Sequence, residues 1–360
     1  MTGAERLLAA CRGQPVDATP VWFMRQAGGR LPGYQRLRAG HSVIEIAKTP
    51  ALCAGVSAGA VEALGVDGAV LFADIMLLVE AMGVPMELLS SGPVIADPIR
   101  SDAAIAGLRT VDPGTDLGFV LEAIGLVRRA VAGSAAVIGI LGGPFTLAAY
   151  LVEGAPSRDQ LVARALMHGR PDAWHELLDR LAIAAAAYGV AQGRAGADVV
   201  QLFDTWASSL TADEYRRFVA PYAARIVAAV EASGVPVIHH VGRSVAILDE
   251  VAASGATVVG IDSRQDLGAA RRRLGLSRAV QGNLDPALVL AGWGRVAPAV
   301  GSVVAAAGGG PGRPAIGHVF NLGEAAPRDA DPSVLRDLAA LVHDTTAGPS
   351  PVPEVSHVPA

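Results

Sequence analysis

The chain has 360 residues, of which 51% are hydrophobic, 18% are charged and only 4% are aromatic. This length suits one large domain or two ordinary ones, and the apolar fraction is enough to bury a sizeable core. The formal net charge of −5, with no basic stripe, argues against a nucleic-acid partner, and two cysteines are too few for a four-cysteine zinc site or a disulfide framework.

The first residues, MTGAERLLAACRGQPVD, carry charges inside a short apolar run, which is unlike a signal peptide. No uncharged apolar run of about 18 residues, the length of a membrane-spanning helix, follows. We therefore expect a cytoplasmic protein with no membrane partner.

Short β-branched runs alternate with long Ala- and Leu-rich segments. The runs predict strands at Ala69–Ala73, Val137–Leu141, Val199–Phe203, Val237–His240, Val258–Ile261, Val280–Gly282 and Ile316–Phe320, after a shorter extended piece at Val21–Phe23. The gaps show helical patterns, for example at Trp174–Arg194 and Glu214–Ser233. Seven or eight strand–helix units predict the α/β class and a closed (β/α)8 TIM barrel. An open doubly wound sheet is disfavoured because no G-x-G-x-x-G follows the first clear strand.

One barrel domain is expected over residues 1–344. Ala305–Pro314, with the sequence AAAGGGPGRP, predicts a flexible loop before the last strand. Residues 345–360 are rich in Pro, Ser and Ala without periodicity, which predicts a disordered C-terminal tail.

Polar residues follow several of the predicted strands, and in a barrel such residues collect at one face. Asp74, Tyr150, Thr205 and Asn321 should therefore converge from distant parts of the sequence. Taken singly, each has an ordinary structural explanation. An Asp or Thr after a strand is often a helix N-cap, and a Tyr is often a half-buried core phenol.

The segment Pro20–Arg38 holds four arginines, at Arg25, Arg30, Arg36 and Arg38, with an Ala-Gly-Gly turn between the first two. Guanidinium groups beside a glycine-rich backbone suit carboxylate binding. The alternative is a surface loop with solvated arginines.

A metal site is not expected. His239 and His240 are adjacent, and adjacent residues on a strand point to opposite faces.

Six stretches together resemble the uroporphyrinogen decarboxylase family, in order between about Pro20 and Val342. They are PVWFMRQAGGRLPGYQRLR, LFADI, GGPFTLAAYLVEGAPSR, QLFDTWASSL, VQGNLDP and GHVFNLGEAAPRDADP. The resemblance implies a (β/α)8 barrel, usually a homodimer, with no metal and no organic cofactor. It also implies the activity: removal of the four acetate carboxyls of uroporphyrinogen III, giving coproporphyrinogen III and carbon dioxide in porphyrin (haem) biosynthesis.

The resemblance also implies roles by position. Asp74 would accept hydrogen bonds from the pyrrole N–H groups and stabilise a cationic, ring-protonated intermediate. Arg25 would assist proton delivery or place a carboxylate. The implied substrate-binding set is Arg25, Gln26, Ala27, Gly28, Gly29, Arg38, Asp74, Tyr150, Thr205 and Glu324.

The chain departs from the family pattern at both ends of the match. The family has arginine at Gly29, glutamate at Gly33, arginine at Gln35, histidine at Glu324 and glycine at Ala325. The changes at positions 29 and 324 remove a cation and add an anion facing a polyanionic substrate. A lost charge-assisted bond costs about 1.5–3 kcal/mol, so we expect reduced or altered decarboxylation.

The sequence is also compatible with other functions. One is a diverged paralogue acting on a less anionic tetrapyrrole or a smaller carboxylate, and another is a non-catalytic porphyrinogen binder, against which the retained Asp74 argues. Zinc-dependent corrinoid methyltransferases share the fold, but their ligands lie at strand ends, whereas Cys11 and Cys53 lie early in the chain and follow no predicted strand.

Overall fold

The computed structural model describes residues 1–89 and 92–348. Its strands are β1 (Gly68–Val70), β2 (Glu87–Leu89), β3 (Gly92–Val94), β4 (Ala136–Gly142), β5 (Val199–Phe203), β6 (Val237–His240), β7 (Val258–Gly260), β8 (Ala279–Gln281) and β9 (His318–Val319). The helices up to β5 are α1 (Gly3–Cys11), α2 (Pro32–Arg38), α3 (Val43–Lys48), α4 (Pro50–Leu64), α5 (Leu77–Ala81), α6 (Asp102–Ala106), α7 (Pro113–Asp116), α8 (Gly118–Val131), α9 (Pro144–Glu153), α10 (Leu161–Gly169) and α11 (Pro171–Ala195). After β5 come α12 (Ala212–Phe218), α13 (Ala220–Ala232), α14 (Leu248–Ala252), α15 (Leu267–Leu274), α16 (Pro286–Ala291), α17 (Trp293–Ala306) and α18 (Pro332–Thr346), with 3₁₀ turns at Thr205–Ser209 and Ser244–Ile247.

Among the described residues, seven strands form one parallel sheet in the order β1-β4-β5-β6-β7-β8-β9, and β2 and β3 form a separate antiparallel pair. Each strand of the large sheet pairs with the next one along the chain, as in the register Val200↔Val237 between β5 and β6. The expected α/β class with a parallel sheet is confirmed. A doubly wound sheet is excluded because its strand order reverses at a switch point.

The segment around Val21 hydrogen-bonds towards both outer strands of this sheet. Val21 forms a parallel bridge with Phe320, next to β9. On its other side, the Val21 carbonyl accepts a 2.7 Å hydrogen bond from the N–H of Asp67, the residue before β1. The predicted extended piece at Val21–Phe23 thus lies between the first and last strands.

The two faces of the sheet carry separate apolar clusters, as alternation along buried strands requires. On one face, residues such as Ile138, Val199 and Ile238 pack with Trp22 and with Leu7 of α1. The other face packs against the surrounding helices in a larger cluster. Helices and strands from distant parts of the sequence therefore pack into one scaffold. Both faces of the sheet are covered, so a site is expected at the ends of its strands.

The Asp67 carboxylate joins α1 and α18 to the start of β1. Its Oδ1 accepts from Arg6 of α1 at 2.6 Å, and its Oδ2 accepts from the Val21 N–H at 2.7 Å. His343 of α18 places Nε2 2.7 Å from the same Oδ2. This buried carboxylate fixes the segment that leads into Arg25.

Most predicted strands are confirmed to within two residues at each end, and those at Val199–Phe203 and Val237–His240 match β5 and β6 at both ends. The single helix predicted at Glu214–Ser233 is wrong. The helix is interrupted at Val219, whose φ is −130°, so that this segment forms two helices, α12 and α13. Pro221 explains the break, because its ring removes a backbone N–H and clashes with the preceding turn.

The predicted boundaries near the C-terminus shift slightly. Ala305 and Ala306, the first residues of the predicted loop, belong to α17, and Thr345 and Thr346 of the predicted tail belong to α18. Residues 349–360 lie outside the described residues.

Three histidines are buried as neutral side chains. Burial lowers the pKa of His239 to about 3 and those of His240 and His318 to about 4. The Nε2 of His318 lies 2.7 Å from the Gly282 carbonyl oxygen, and this contact works against the effect of burial. Such groups make folding pH-dependent, since an unfolded histidine has a pKa of about 6.5.

We predict that His318→Gln flattens the acid side of the stability profile. Between pH 6.5 and about 4 the unfolded chain binds a proton that folded His318 does not. Its contribution to stability is therefore complete above pH 6.5 and falls by about 1.4 kcal/mol per pH unit below it. Urea unfolding at pH 7 and 4.5 should show a loss about 2 kcal/mol smaller in the variant than in the parent chain.

Equal losses for His318→Gln and the parent would contradict the prediction.

Candidate active site

Asp74, Arg25 and Tyr150 come together at the ends of the sheet strands. Asp74 follows β1, Arg25 follows the Val21 segment, and Tyr150 lies on α9. Burial raises the pKa of Asp74, while the Met76 N–H and the Arg25 charge lower it. Burial and then the Asp74 charge raise the pKa of Tyr150 to about 12, with Arg25 opposing them. Each of the three groups thus lies within electrostatic reach of the other two.

Only one oxygen of the Asp74 carboxylate is used by the fold. Its Oδ1 accepts a 2.8 Å hydrogen bond from the Met76 N–H, just ahead of α5. The N-cap of that helix is Met76 itself, with no side-chain hydrogen bond, so the helix N-cap explanation of Asp74 is wrong. Its Oδ2 makes no hydrogen bond to the described residues and is not sealed from the surface. The backbone just before Asp74 is held by α4, because the Ser57 hydroxyl of that helix accepts a 2.8 Å hydrogen bond from the Phe72 N–H. The carboxylate is therefore fixed in place with one acceptor to spare.

The loop after Val21 presents Arg25 and buries its neighbour. Arg25 adopts a positive φ of 62° and its side chain is exposed. Gln26 is only 2% exposed. Its Oε1 accepts from the Phe23 N–H at 2.8 Å and its Nε2 donates to the Gly68 carbonyl at 2.6 Å. The Gln26 side chain anchors the loop to β1, and the structure does not bring it to the open acceptor of Asp74.

The remaining residues of the predicted substrate loop, from Ala27 to Gly29, have no polar side chain. Ala27 is buried and Gly28 is half-buried, so each offers the site main-chain groups only. Gly29 has φ +56°, and a Cβ placed there would lie 3.0 Å from the Arg328 carbonyl oxygen. The arginine that the resemblance implies at this position would be strained on this backbone.

Two other arginines of this segment are directed elsewhere. The Asp331 pKa is lowered first by its hydrogen bonds to Ser333 and also by the charge of Arg30, which places Arg30 beside the start of α18. Arg38 is exposed and donates to the His41 carbonyl. Neither of these two charges acts on Asp74.

The wall beside Tyr150 is aromatic. Its ring and that of Trp206 have centroids 3.9 Å apart and planes inclined by 31°. Thr205 precedes Trp206 in the 3₁₀ turn after β5, and its side chain is exposed. Its methyl group faces Gly242 after β6, where a Cβ would lie 3.8 Å away. Thr205 therefore stands on the rim of the same strand ends.

Asp204 is a residue whose importance the sequence did not reveal. It is fully buried and its Oδ1 accepts from the N–H and the hydroxyl of Thr146, at 2.7 and 2.8 Å. Burial raises its pKa to about 6. The available signal was an Asp directly after a fully or nearly buried strand of mostly apolar residues. A carboxylate in that position is expensive unless it has partners.

Glu324 and Asn321 follow β9 in different environments. The Glu324 Oε2 accepts a 2.7 Å hydrogen bond from Ser263 after β7, and the residue is half-buried. Asn321 is fully buried, and its Oδ1 accepts from the Met24 N–H at 3.3 Å. Asn321 thus supports the loop that carries Arg25, while Glu324 lies on the open side.

The adjacent histidines face opposite ways, as expected. His239 places Nδ1 2.9 Å from Ser254 of the helical layer, whereas the His240 ring lies beside Phe203. Cys11 and Cys53 are buried, and burial raises both thiol pKa values to about 12. Within residues 1–89 and 92–348, no three His, Cys, Asp or Glu side chains are grouped to hold a metal ion.

No helix among the described residues combines the length and the apolar character needed to cross a membrane.

Comparison with known proteins places the chain among decarboxylases of one family. The family model described as "Uroporphyrinogen decarboxylase (URO-D)" matches residues 2–345. A uroporphyrinogen decarboxylase of Roseiflexus sp. (strain RS-1) is 43% identical over 349 residues, covering 95% of this chain and 99% of that protein. Those of Rhodococcus opacus and Streptomyces coelicolor are 44% and 45% identical, each over 94% of this chain and over 95% and 94% of their own lengths.

A solved structure, the methyltransferase from Methanosarcina mazei, superposes with a TM-score of 0.80 at 22% identity, covering 95% of this chain and 98% of the other. At that identity the likeness shows a shared fold alone. The family match over nearly the whole length carries more: the chain belongs to the uroporphyrinogen decarboxylase family.

Proposed function

We propose that the chain is a carboxy-lyase that removes the four acetate carboxyls of uroporphyrinogen III to give coproporphyrinogen III. The observation that carries the proposal is the Asp74 carboxylate, held with one free acceptor between Arg25 and Tyr150. Membership of the family supports the same reaction. The substrate is a flexible ring with four pyrrole N–H donors inside and eight carboxylates outside, and it needs an acceptor at its centre and donors around it.

Asp74 supplies the central acceptor. Its Oδ2 would bind pyrrole N–H groups, and its negative charge would stabilise the cation formed when a pyrrole ring takes up a proton. The carbon–carbon bond to the carboxylate then breaks, its electron pair flows into the cationic ring, and carbon dioxide leaves. The exocyclic methylene that remains then takes up a proton to become a methyl group, and the ring gives up the proton it first accepted. At each acetate arm one carboxylate thus leaves as carbon dioxide and one proton is consumed. Burial favours a neutral Asp74, so the opposing charge of Arg25 helps to keep it ionised.

Donors for the outer acid arms would come from side chains and backbone groups at the same strand ends. With a pKa raised to about 12, Tyr150 keeps its proton at neutral pH and can donate to a substrate carboxylate. Thr205 offers a hydroxyl on the rim and Arg25 a guanidinium. The N–H groups of Ala27 and Gly29 have no partner among the described residues and can bind a further anionic arm.

The sheet that carries these groups would close into the expected eight-stranded (β/α)8 barrel. Support comes from the Val21 segment, whose backbone bonds to Phe320 on one side and to Asp67 on the other. The single domain over residues 1–344, the homodimer implied by the family and the cytoplasmic location stay predictions.

A diverged substrate is the second candidate, and Glu324 is the observation that favours it. Its carboxylate is held by Ser263 on the open side of the strand ends, and Gly29 provides no compensating cation. A tetrapyrrole with fewer carboxylates, or with a hydrogen-bond donor next to Glu324, would bind here better than one that places an acid arm against this carboxylate.

We predict that Asp74→Asn lowers kcat with uroporphyrinogen III about 10²- to 10³-fold, as expected when a positioned electrostatic stabiliser is removed. Asparagine keeps the shape and the oxygen that accepts from the Met76 N–H but loses the charge. Anaerobic turnover, followed by separating the porphyrins after oxidation, measures the effect. Asp266→Asn, which changes the N-cap of α15, is the matched control. Unchanged turnover in Asp74→Asn would remove the central acceptor from the mechanism.

We predict that Glu324→His raises kcat/KM for uroporphyrinogen III about tenfold, because one repulsive charge worth about 1.4 kcal/mol is lost. Glu324→Gln removes the charge but keeps the shape of the side chain, and it should give part of this rise in kcat/KM. The rise should be larger at low than at high ionic strength. The strain at Gly29 makes Gly29→Arg a poor companion change. A fall in kcat/KM for both variants would contradict the prediction, because Glu324 would then assist the turnover of uroporphyrinogen III and not repel one of its acid arms.

A further inference from the structure

Asp204 is a buried carboxylate that stability alone does not explain. The residue is 0% exposed, and only Oδ1 is bonded, while Oδ2 has no partner among the described residues. Burying a carboxylate with an unused oxygen is costly, and burial accordingly raises its pKa to about 6. A carboxylate in this position is better explained by what it holds in place.

Thr146 connects this carboxylate to the turn after β5. Its hydroxyl lies 2.8 Å from Asp204 Oδ1 and 3.1 Å from the Trp206 backbone nitrogen. A hydroxyl has one hydrogen, and an ionised carboxylate can only accept. The proton of Thr146 is therefore directed to Asp204, which leaves a lone pair for the Trp206 N–H.

The same turn meets α9 a second time through aromatic rings. Thr146 and Tyr150 are four residues apart on α9 and so lie on one face of the helix. Thr146 holds the Trp206 backbone, and Tyr150 stacks on the Trp206 ring at 3.9 Å. Gly143 leaves room for the arrangement, since a Cβ there would collide with Asp204.

We propose that Asp204, acting through Thr146, is a positioning residue that fixes the Tyr150–Trp206 pair and so places the Tyr150 phenol beside Asp74 and Arg25. The inference rests on the proposed function, in which Tyr150 binds a substrate carboxylate. Asp204 itself touches neither Tyr150 nor the opening at the strand ends, and its effect is transmitted through one hydroxyl and one backbone N–H.

Two matched pairs of variants test the proposal. Asp204→Ala and Thr146→Val remove the connection, whereas Asp204→Asn and Thr146→Ser keep the acceptor and the hydroxyl. We expect kcat/KM for uroporphyrinogen III to fall about 10- to 100-fold in the first pair, the size of effect that a misplaced group produces, and to stay within about threefold in the second. In a Tyr150→Phe background, Asp204→Ala should cost much less, because the phenol it positions is absent.

A loss in Asp204→Asn as large as that in Asp204→Ala would overturn the proposal, because the charge and not the acceptor would then matter. Fully additive losses with Tyr150→Phe would overturn it as well.

A readout without turnover separates this proposal from the proposed function. Acrylamide quenching of Trp206, taken as the difference between each variant and its Trp206→Phe counterpart, reports the stack directly. Quenching should increase in Asp204→Ala and Thr146→Val and stay at the parent level in Asp204→Asn and Thr146→Ser. This pattern in a chain that does not process uroporphyrinogen would keep the positioning role and reject the proposed substrate. Parent-level quenching in all four variants would reject the positioning role itself.

Discussion

A carboxylate that must stay charged while largely buried is the constraint on which the candidate site depends. Burial favours the neutral form of Asp74, and the Arg25 charge and the Met76 N–H favour the charged form. The balance requires Arg25, which lies almost fifty residues earlier in the chain, to be held close by. Gln26 does this through the Gly68 carbonyl, and Asn321 does it through the Met24 N–H. Gln26, a predicted substrate-binding residue, thus holds the loop that carries Arg25.

The need to hold Arg25 close to Asp74 also gives a reason for the bonds between the Val21 segment and both outer strands of the sheet. The Val21 segment carries the loop of Arg25, and it is bonded to Phe320 on one side and to Asp67 on the other. Asp67 in turn binds Arg6 of α1 and His343 of α18. These two helices are therefore part of the scaffold that sets the distance between Arg25 and Asp74.

The sequence predicted those features whose cause is local. Fully buried strands such as Val199–Phe203 show as short apolar runs, and the convergence of Asp74 and Tyr150 follows from parallel strands ending at one face. The helix break at Val219 was missed because helical periodicity outweighed the signal of Pro221. The partners of Asp204 could not be predicted, since its hydrogen bonds to Thr146 join residues 58 positions apart. The strain at Gly29 likewise depends on the distant Arg328 carbonyl.

A crystal structure of the chain with bound coproporphyrinogen tests the central claim most directly. The account predicts pyrrole nitrogens within hydrogen-bonding distance, about 2.7–3.2 Å, of Asp74 Oδ2, with acid arms against Tyr150 and Arg25. A tetrapyrrole bound with its nitrogens away from Asp74, or an Asp74 carboxylate turned from the ligand, would contradict it.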